Sequence, residues 1–175
     1  NERIESLKKF VELYRRWIEE ITVEAKTIDP KFISPASKNI QSCNKSYQRM
    51  CDGIQILESD EIAWNAFMLA NRAMFMQRIH IGKQNEMAEK NANRYNGDKE
   101  IEDWLNNLDY TKEDDDNSRW RPFQLAFLLL DLRSIVDDKA EDRKIVDLIW
   151  FPTGGGKTEA YLGLTAFTIF YRRLK

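Results

Sequence analysis

Apolar residues recur three and four positions apart along the first half of the chain, a pattern that predicts helices. The clearest helix is expected over residues 4–26, with charged side chains on its opposite face. A loop is expected over residues 30–37, which contain two prolines and two serines. Two more helices follow over residues 37–57 and 60–80, and Gly53 marks a weak point or a bend in the first of them.

The helix over residues 60–80 is apolar nearly all round, which is typical of a central, buried helix. A short amphipathic helix is predicted over residues 101–108. Residues 113–119 then form a polar, largely acidic run with no apolar side chain to bury, so we expect a connector there.

The last third of the chain has the pattern of helix, strand, loop and helix. A strongly apolar helix is predicted from Pro122 to Val136, because proline suits a helix start. Residues 145–151 are a nearly continuous apolar run, as in a strand that is buried on both faces of a parallel sheet. After a run of three glycines, apolar residues return at helical spacing up to Lys175.

The segment between the predicted strand and the last helix has the composition of a phosphate-binding loop. Glycines let consecutive backbone N–H groups approach an anion, and the N-terminus of the following helix adds a positive dipole end. Lys157 would reach the β- and γ-phosphates of a nucleotide, and Thr158 would offer its hydroxyl to Mg²⁺. The candidate ATP-binding residues of this loop are Thr153, Gly154, Gly155, Gly156, Lys157 and Thr158.

The loop departs from the general phosphate-loop pattern, because Phe151 stands where that pattern has its first glycine. It matches a shorter Pro-Thr-Gly-x-Gly-Lys-Thr form, which resembles motif I of the superfamily 2 helicases and translocases. The block Arg-Pro-Phe-Gln at residues 121–124 is similar to the one that precedes motif I in many of these motors. That resemblance implies that Gln124 reads the adenine edge; the alternative is that Gln124 only occupies the first turn of a helix.

Composition adds limits to these assignments. The 175-residue chain has a formal net charge of −2, so a nucleic-acid surface would have to be a local patch. No apolar run is long enough to span a bilayer, so we expect no membrane association. Two cysteines and one histidine favour neither a disulfide framework nor a zinc site. A cytoplasmic protein with reduced cysteines is expected.

These elements predict a mainly α fold in two parts. Residues 1–112 would form a helical accessory domain, and residues 113–119 an acidic connector. Residues 120–175 would be the start of a RecA-like α/β motor domain, with the order helix, strand, phosphate loop, helix. A single strand cannot bury both of its faces. We therefore expect residues 145–175 to pack on the helical region or to pair with another copy.

Residues 120–175 also resemble the large helicase-like subunit of the DISARM anti-phage defence systems, through the blocks Arg-Pro-Phe-Gln-Leu-Ala-Phe-Leu-Leu-Leu and Leu-Ile-Trp-Phe-Pro-Thr-Gly-Gly-Gly-Lys-Thr-Glu-Ala-Tyr-Leu. Residues 50–80 are similar to the helical region ahead of that motor, less specifically. The resemblance implies an ATP- and Mg²⁺-dependent motor that engages DNA and works with other defence-complex subunits. It identifies no DNA-contacting residue.

Superfamily 2 hydrolysis also needs a later acidic pair and arginines from a second RecA-like domain. The 175 residues contain neither, so we expect a fragment of a longer protein that lacks ATPase activity by itself. An alternative function is a helical protein-interaction or scaffolding module with a degenerate nucleotide-binding switch. A small-molecule kinase is disfavoured, because such kinases lack the block that contains Gln124.

Overall fold

The computed structural model describes residues 2–90, 110, 119–150 and 154–175, and for residues 83–90 it describes the main chain alone. The predicted helix over residues 101–108 lies outside the described residues, as do Phe151, Pro152, Thr153 and nearly all of the predicted connector.

The described part of the chain is mainly α-helical, as predicted. A short 3-10 turn, Glu141–Lys144, follows the fourth helix. The five α-helices of the described residues are α1 (Glu2–Glu24), α2 (Pro30–Ser59), α3 (Glu61–Lys90), α4 (Pro122–Val136) and α5 (Lys157–Leu174).

The predicted loop over residues 30–37 is wrong, because α2 already begins at Pro30. The side chain of Asp29 accepts a hydrogen bond from the backbone N–H of Lys31 at 3.0 Å, and Pro30 occupies the first helical position, where its missing N–H costs nothing. Pro35 lies inside the helix, which therefore lacks one backbone hydrogen bond there. The cap and the favourable start outweigh that loss. Helix α3 likewise runs beyond residue 80, to Lys90.

Residues 145–150, the described part of the predicted strand, form no regular element. Val146, Leu148 and Trp150 are 93, 81 and 89% exposed, whereas Asp147 and Ile149 are partly buried. This alternation is that of extended chain, in which successive side chains point to opposite sides. No other described segment offers an edge to pair with, so the RecA-like sheet stays a prediction.

The helices pack pairwise around one apolar core. Helix α1 packs on α2, α2 on α4, α3 on α5, and α4 on α5. The expectation that the end of the chain packs on the helical region is confirmed by the contact of α5 with α3. The core contains residues from both sides of the predicted connector, and the division into two domains stays a prediction. Its most deeply buried members include Val11, Met50, Ala63, Ala66, Leu129, Leu132 and Phe167.

Gly53 lies where α2 crosses α4 at close range, and the helix continues past it to Ser59. A Cβ at this position would lie 2.2 Å from the carbonyl oxygen of Leu129. Backbone atoms cannot move aside as a flexible side chain can, so glycine is required by packing here rather than by conformation.

Replacing Gly53 by alanine is expected to destabilise the protein by about 1–3 kcal/mol, because the added methyl group forces α2 and α4 apart. Gly82, in α3, provides the matched control, since a Cβ there meets nothing within 4 Å. Gly82→Ala should be neutral or stabilising by up to about 1 kcal/mol. Urea denaturation of both variants measures the difference, and equal stability of the two would contradict the close crossing.

The extended segment is tied to the helical region by a buried arginine. Arg49 of α2 is 8% exposed and donates two hydrogen bonds of 2.7 Å to the carboxylate of Asp147. Its guanidinium also donates to the carbonyl oxygen of Leu130 at 3.2 Å and lies 3.5 Å from the carboxylate of Asp131. Asp142 is further away, at 3.7 Å. A bidentate arginine–carboxylate pair of this kind fixes both partners in orientation as well as in position.

One guanidinium cannot neutralise three carboxylates, and the consequence is visible at Asp131. Burial and then the negative charge of Asp147 raise the pKa of Asp131 to about 6. The hydrogen bonds from Arg49 instead hold the pKa of Asp147 below its ordinary value. The two carboxyl groups thus have their pKa values pushed in opposite directions by their positions around Arg49.

Asp131→Asn is expected to flatten the pH dependence of stability. In the wild type, the folded state binds the Asp131 proton more tightly than the unfolded chain does. The free energy of unfolding therefore falls as pH rises from about 4 to about 6, by up to about 1.4 kcal/mol per pH unit from this group. Urea denaturation across this range measures the slope, with the exposed Asp138→Asn as the control. A slope unchanged in Asp131→Asn would contradict the raised pKa.

Candidate functional site

The glycine loop leads directly into α5. Gly156 is the N-cap of the helix, with φ of 85°, and Gly154 has φ of 79°. No other residue type in the described part of the chain has a positive φ. Both glycines therefore adopt a left-handed conformation that a side chain disfavours. The first N–H groups of α5 have no acceptor within the helix, and its dipole makes this end partly positive.

Two side chains from the start of α4 hold the loop by its carbonyl oxygens. Arg121 donates from Nη1 to the carbonyl of Gly155 at 2.8 Å, and Gln124 donates from Nε2 to the carbonyl of Gly156 at 2.7 Å. In a planar trans peptide, the N–H of the next residue points opposite to the carbonyl. The two contacts therefore direct the N–H groups of Gly156 and Lys157 away from the side chains that hold the loop.

The amide of Gln124 is bonded to the main chain through both its oxygen and its nitrogen. Its Oε1 accepts a hydrogen bond from the backbone N–H of Arg121, the N-cap residue of α4, at 2.8 Å. Its side chain is packed against Gly156, where a Cβ would lie 2.6 Å from Nε2, and the residue is 5% exposed. The amide thus serves both the helix start and the loop. Reading of adenine by Gln124 stays a prediction.

Trp120 joins α3 to α5 at the side of the loop. Its indole N–H donates to Oδ1 of Asn71 at 2.7 Å, and the Nδ2 of Asn71 donates to the carbonyl of Phe67. A Cβ on Gly163 would lie 2.7 Å from the ring, so α5 approaches the indole closely because glycine is there. Trp120 therefore fixes the position of the Arg-Pro-Phe-Gln block relative to both helices.

A cavity of about 1090 Å³ opens between the loop, the start of α4 and helix α3. This is slightly above the range of roughly 300–1,000 Å³ usual for ligand sites. Four cationic side chains and one carboxylate, Glu159, are among its walls, so the cavity favours an anionic ligand. The cationic residues are Arg78, Arg119, Arg121 and Lys157.

The cavity also has an apolar part, to which α3 contributes Met74 and Phe75 and the other side contributes Trp120 and Leu125. The sequence indicates that Asn71, inside a largely apolar helix, needs a hydrogen-bond partner if it is buried, and that Arg78 could reach a phosphate or a carboxylate. It does not indicate that α3 lines the same cavity as the loop, because that is a consequence of tertiary packing. The spacing of Asn71 and Arg78 in the sequence shows only that they lie on one face of α3.

The structure brings together six of the predicted site residues at this cavity or in the loop beside it. Thr158 is exposed in the first turn of α5, and Thr153 lies outside the described residues. Among the residues whose side chains are described, no cluster of histidine, cysteine and carboxylate groups could hold a metal ion. No helix in the described ranges is both long and apolar enough to cross a membrane. The six residues are Gln124, Gly154, Gly155, Gly156, Lys157 and Thr158.

Comparison with known proteins shows a similarity to part of a much longer protein. No family model matches the chain. The chain is similar to the DISARM protein DrmA of Bacillus paralicheniformis, with 40% identity over 175 residues that cover 99% of this chain. The match spans 14% of the length of that protein. The chain is therefore related to one segment of a DISARM protein.

Gln124→Glu is expected to lower the free energy of unfolding by about 1–3 kcal/mol, because a carboxylate would face the carbonyl of Gly156 with no proton to donate. The change keeps the shape of the side chain, so packing alone does not explain a loss. Gln41→Glu, at an exposed position of α2, is the matched control. Thermal denaturation at neutral pH measures both, and an equal effect of the two changes would contradict the role assigned to Gln124.

Proposed function

We propose that this chain is the nucleotide-binding part of an ATP-dependent DNA helicase or translocase that serves in anti-phage defence. Its relationship to a DISARM protein supports the defence role and suggests other subunits of a defence complex as partners. The resemblance to superfamily 2 motors supports the motor role and a RecA-like continuation of the fold. We further propose that the protein acts in the cytoplasm.

One observation carries the nucleotide-binding part of this proposal. A loop with two left-handed glycines is held by its carbonyls, at the N-terminus of an 18-residue helix, beside a cavity rich in cations. Each of these features favours an anion, and together they suit a chain of phosphates. An ordinary glycine turn would need neither the arginine nor the glutamine that holds it.

The residues present fit ATP with Mg²⁺. Gly154, Gly155 and Gly156 would surround the phosphates with backbone N–H groups, Lys157 would neutralise charge on the β- and γ-phosphates, and Thr158 would offer its hydroxyl to the metal. When bound, Mg²⁺ would neutralise charge on the phosphates and orient them. The apolar residues of the cavity suit the base, while Arg121 and Gln124 act as positioning residues for the loop.

We propose DNA binding only because of the resemblance to superfamily 2 motors, and we assign no described residue to it. A scaffolding module with a nucleotide switch would use the same loop without hydrolysis. The two functions differ in one measurable property of the full-length protein: a motor hydrolyses ATP faster when DNA is present, and a switch does not.

Lys157→Ala in the full-length protein is expected to weaken ATP binding by about 100-fold, as loss of a charge-assisted contact to phosphate costs about 1.5–3 kcal/mol or more. It should also abolish DNA-stimulated ATP hydrolysis. Lys38→Ala, at an exposed position of α2, controls for loss of a positive charge. Isothermal titration calorimetry and phosphate release measure the two effects. Unchanged ATP affinity in Lys157→Ala would contradict the proposal.

A further inference from the structure

Helix α3 contributes a wall to the cavity although it precedes the glycine loop by more than 60 residues in sequence. Its lining residues follow one helical stripe, because positions three, four and seven apart lie on the same face. The chemical character changes along this stripe from an amide through apolar groups to a cation. The stripe consists of Asn71, Met74, Phe75 and Arg78, and Gln77 of the same helix lines the cavity beside it.

Two members of the stripe have a local role in the structure. Asn71 binds the indole of Trp120, and Phe75 packs under the guanidinium of Arg72, which lies 5.9 Å from its ring centre. Arg78 differs from them. It is partly buried, yet it forms no hydrogen bond or ion pair with any residue in the described ranges.

An arginine side chain carries five N–H donors and a permanent charge, so partial burial without an acceptor costs free energy. In the same cavity, Arg121 is already bound to the carbonyl of Gly155. Among the described residues of the walls the only carboxylate is Glu159, with which Arg78 makes no ion pair. As far as the described residues go, the cavity thus presents a guanidinium whose donors are unused, in the same walls as a loop suited to phosphates.

We infer that Arg78 of α3 binds the phosphate chain of the nucleotide, and that α3 is therefore the second wall of the ATP site. The inference rests on the proposed function and names a binding residue outside the loop and the Arg-Pro-Phe-Gln block. A phosphate chain satisfies a guanidinium with several oxygens at once, which the ribose and the base do not. The helical region then takes part in nucleotide binding rather than only supporting the motor.

This arrangement makes α3 responsive to the nucleotide. Because α3 packs along α5, a phosphate held between Arg78 and the loop adds a link between these two helices. Loss of the terminal phosphate removes part of that link. The helical region consequently distinguishes ATP from ADP through Arg78.

The test is nucleotide affinity in the full-length protein, measured by calorimetry for ATP, ADP and adenosine. Arg78→Ala should weaken ATP binding by about ten-fold or more, which is typical of a lost charge-assisted hydrogen bond. The effect should be smaller for ADP and within about two-fold for adenosine, which has no phosphate. Arg78→Lys keeps the charge and should restore part of the affinity. Arg72→Ala, on the same helix but outside the cavity, should leave ATP affinity unchanged.

The outcomes separate this inference from the proposed function. If the wild type binds ATP and Lys157→Ala does not, but Arg78→Ala binds as the wild type does, the inference is wrong and the proposed function stands. An equal loss for ATP and adenosine would show a structural role for Arg78 and would also overturn the inference. If the wild type binds no ATP, both are wrong. Should Arg78→Ala fail to fold, as judged by circular dichroism, Arg78→Lys and Arg78→Gln decide the matter, with Gln expected to bind ATP more weakly than Lys.

Discussion

The candidate site depends on the two hydrogen bonds by which the start of α4 holds the carbonyls of Gly155 and Gly156. Three consecutive glycines lose more conformational entropy on ordering than any other tripeptide, so such a loop has no fixed shape without external contacts. In the described part of the chain no sheet lies beside it. Arg121 and Gln124 provide the contacts, and the hydrogen bond from the backbone N–H of Arg121 holds the amide of Gln124 in place.

The position of α4 is in turn set by the helical region. Gly53 allows α2 to approach the backbone of Leu129 in α4. Arg49 of α2 donates hydrogen bonds to Asp147, and Asn71 of α3 accepts one from the indole N–H of Trp120. The residues that hold the loop therefore stand on helices that share one core with the first half of the chain. A change in α2 or α3 would reach the loop through these contacts, which gives a physical basis for coupling the helical region to a nucleotide.

Much of the helical structure could be predicted from the sequence, because the spacing of apolar residues along the chain indicates which face of each helix is buried. The bounds of α1 and α4 follow from it closely. The start of α2 does not follow from the pattern, because the prolines and serines of residues 30–37 predict a loop, whereas Asp29 and Pro30 make a favourable helix start. Helix propensity alone makes Gly53 a weak point, and only the neighbouring helix shows why glycine stands there.

The candidate site was predictable in part. The pattern of glycines with Lys157 identified the loop, but not the contacts that shape it. Gln124 was assigned to a base through a resemblance, and its partners in the structure are main-chain groups that no sequence pattern specifies. Arg78 could not be placed at the loop, because the pairing of α3 with α5 joins segments far apart in sequence.

A crystal structure of the full-length protein with a non-hydrolysable ATP analogue and Mg²⁺ would show directly whether the loop binds phosphates. We expect phosphates against Gly154 to Thr158, with the Gln124 amide still bonded to the carbonyl of Gly156. A nucleotide bound elsewhere, or a Gln124 side chain released from the loop while phosphates occupy it, would show that the site is assigned wrongly.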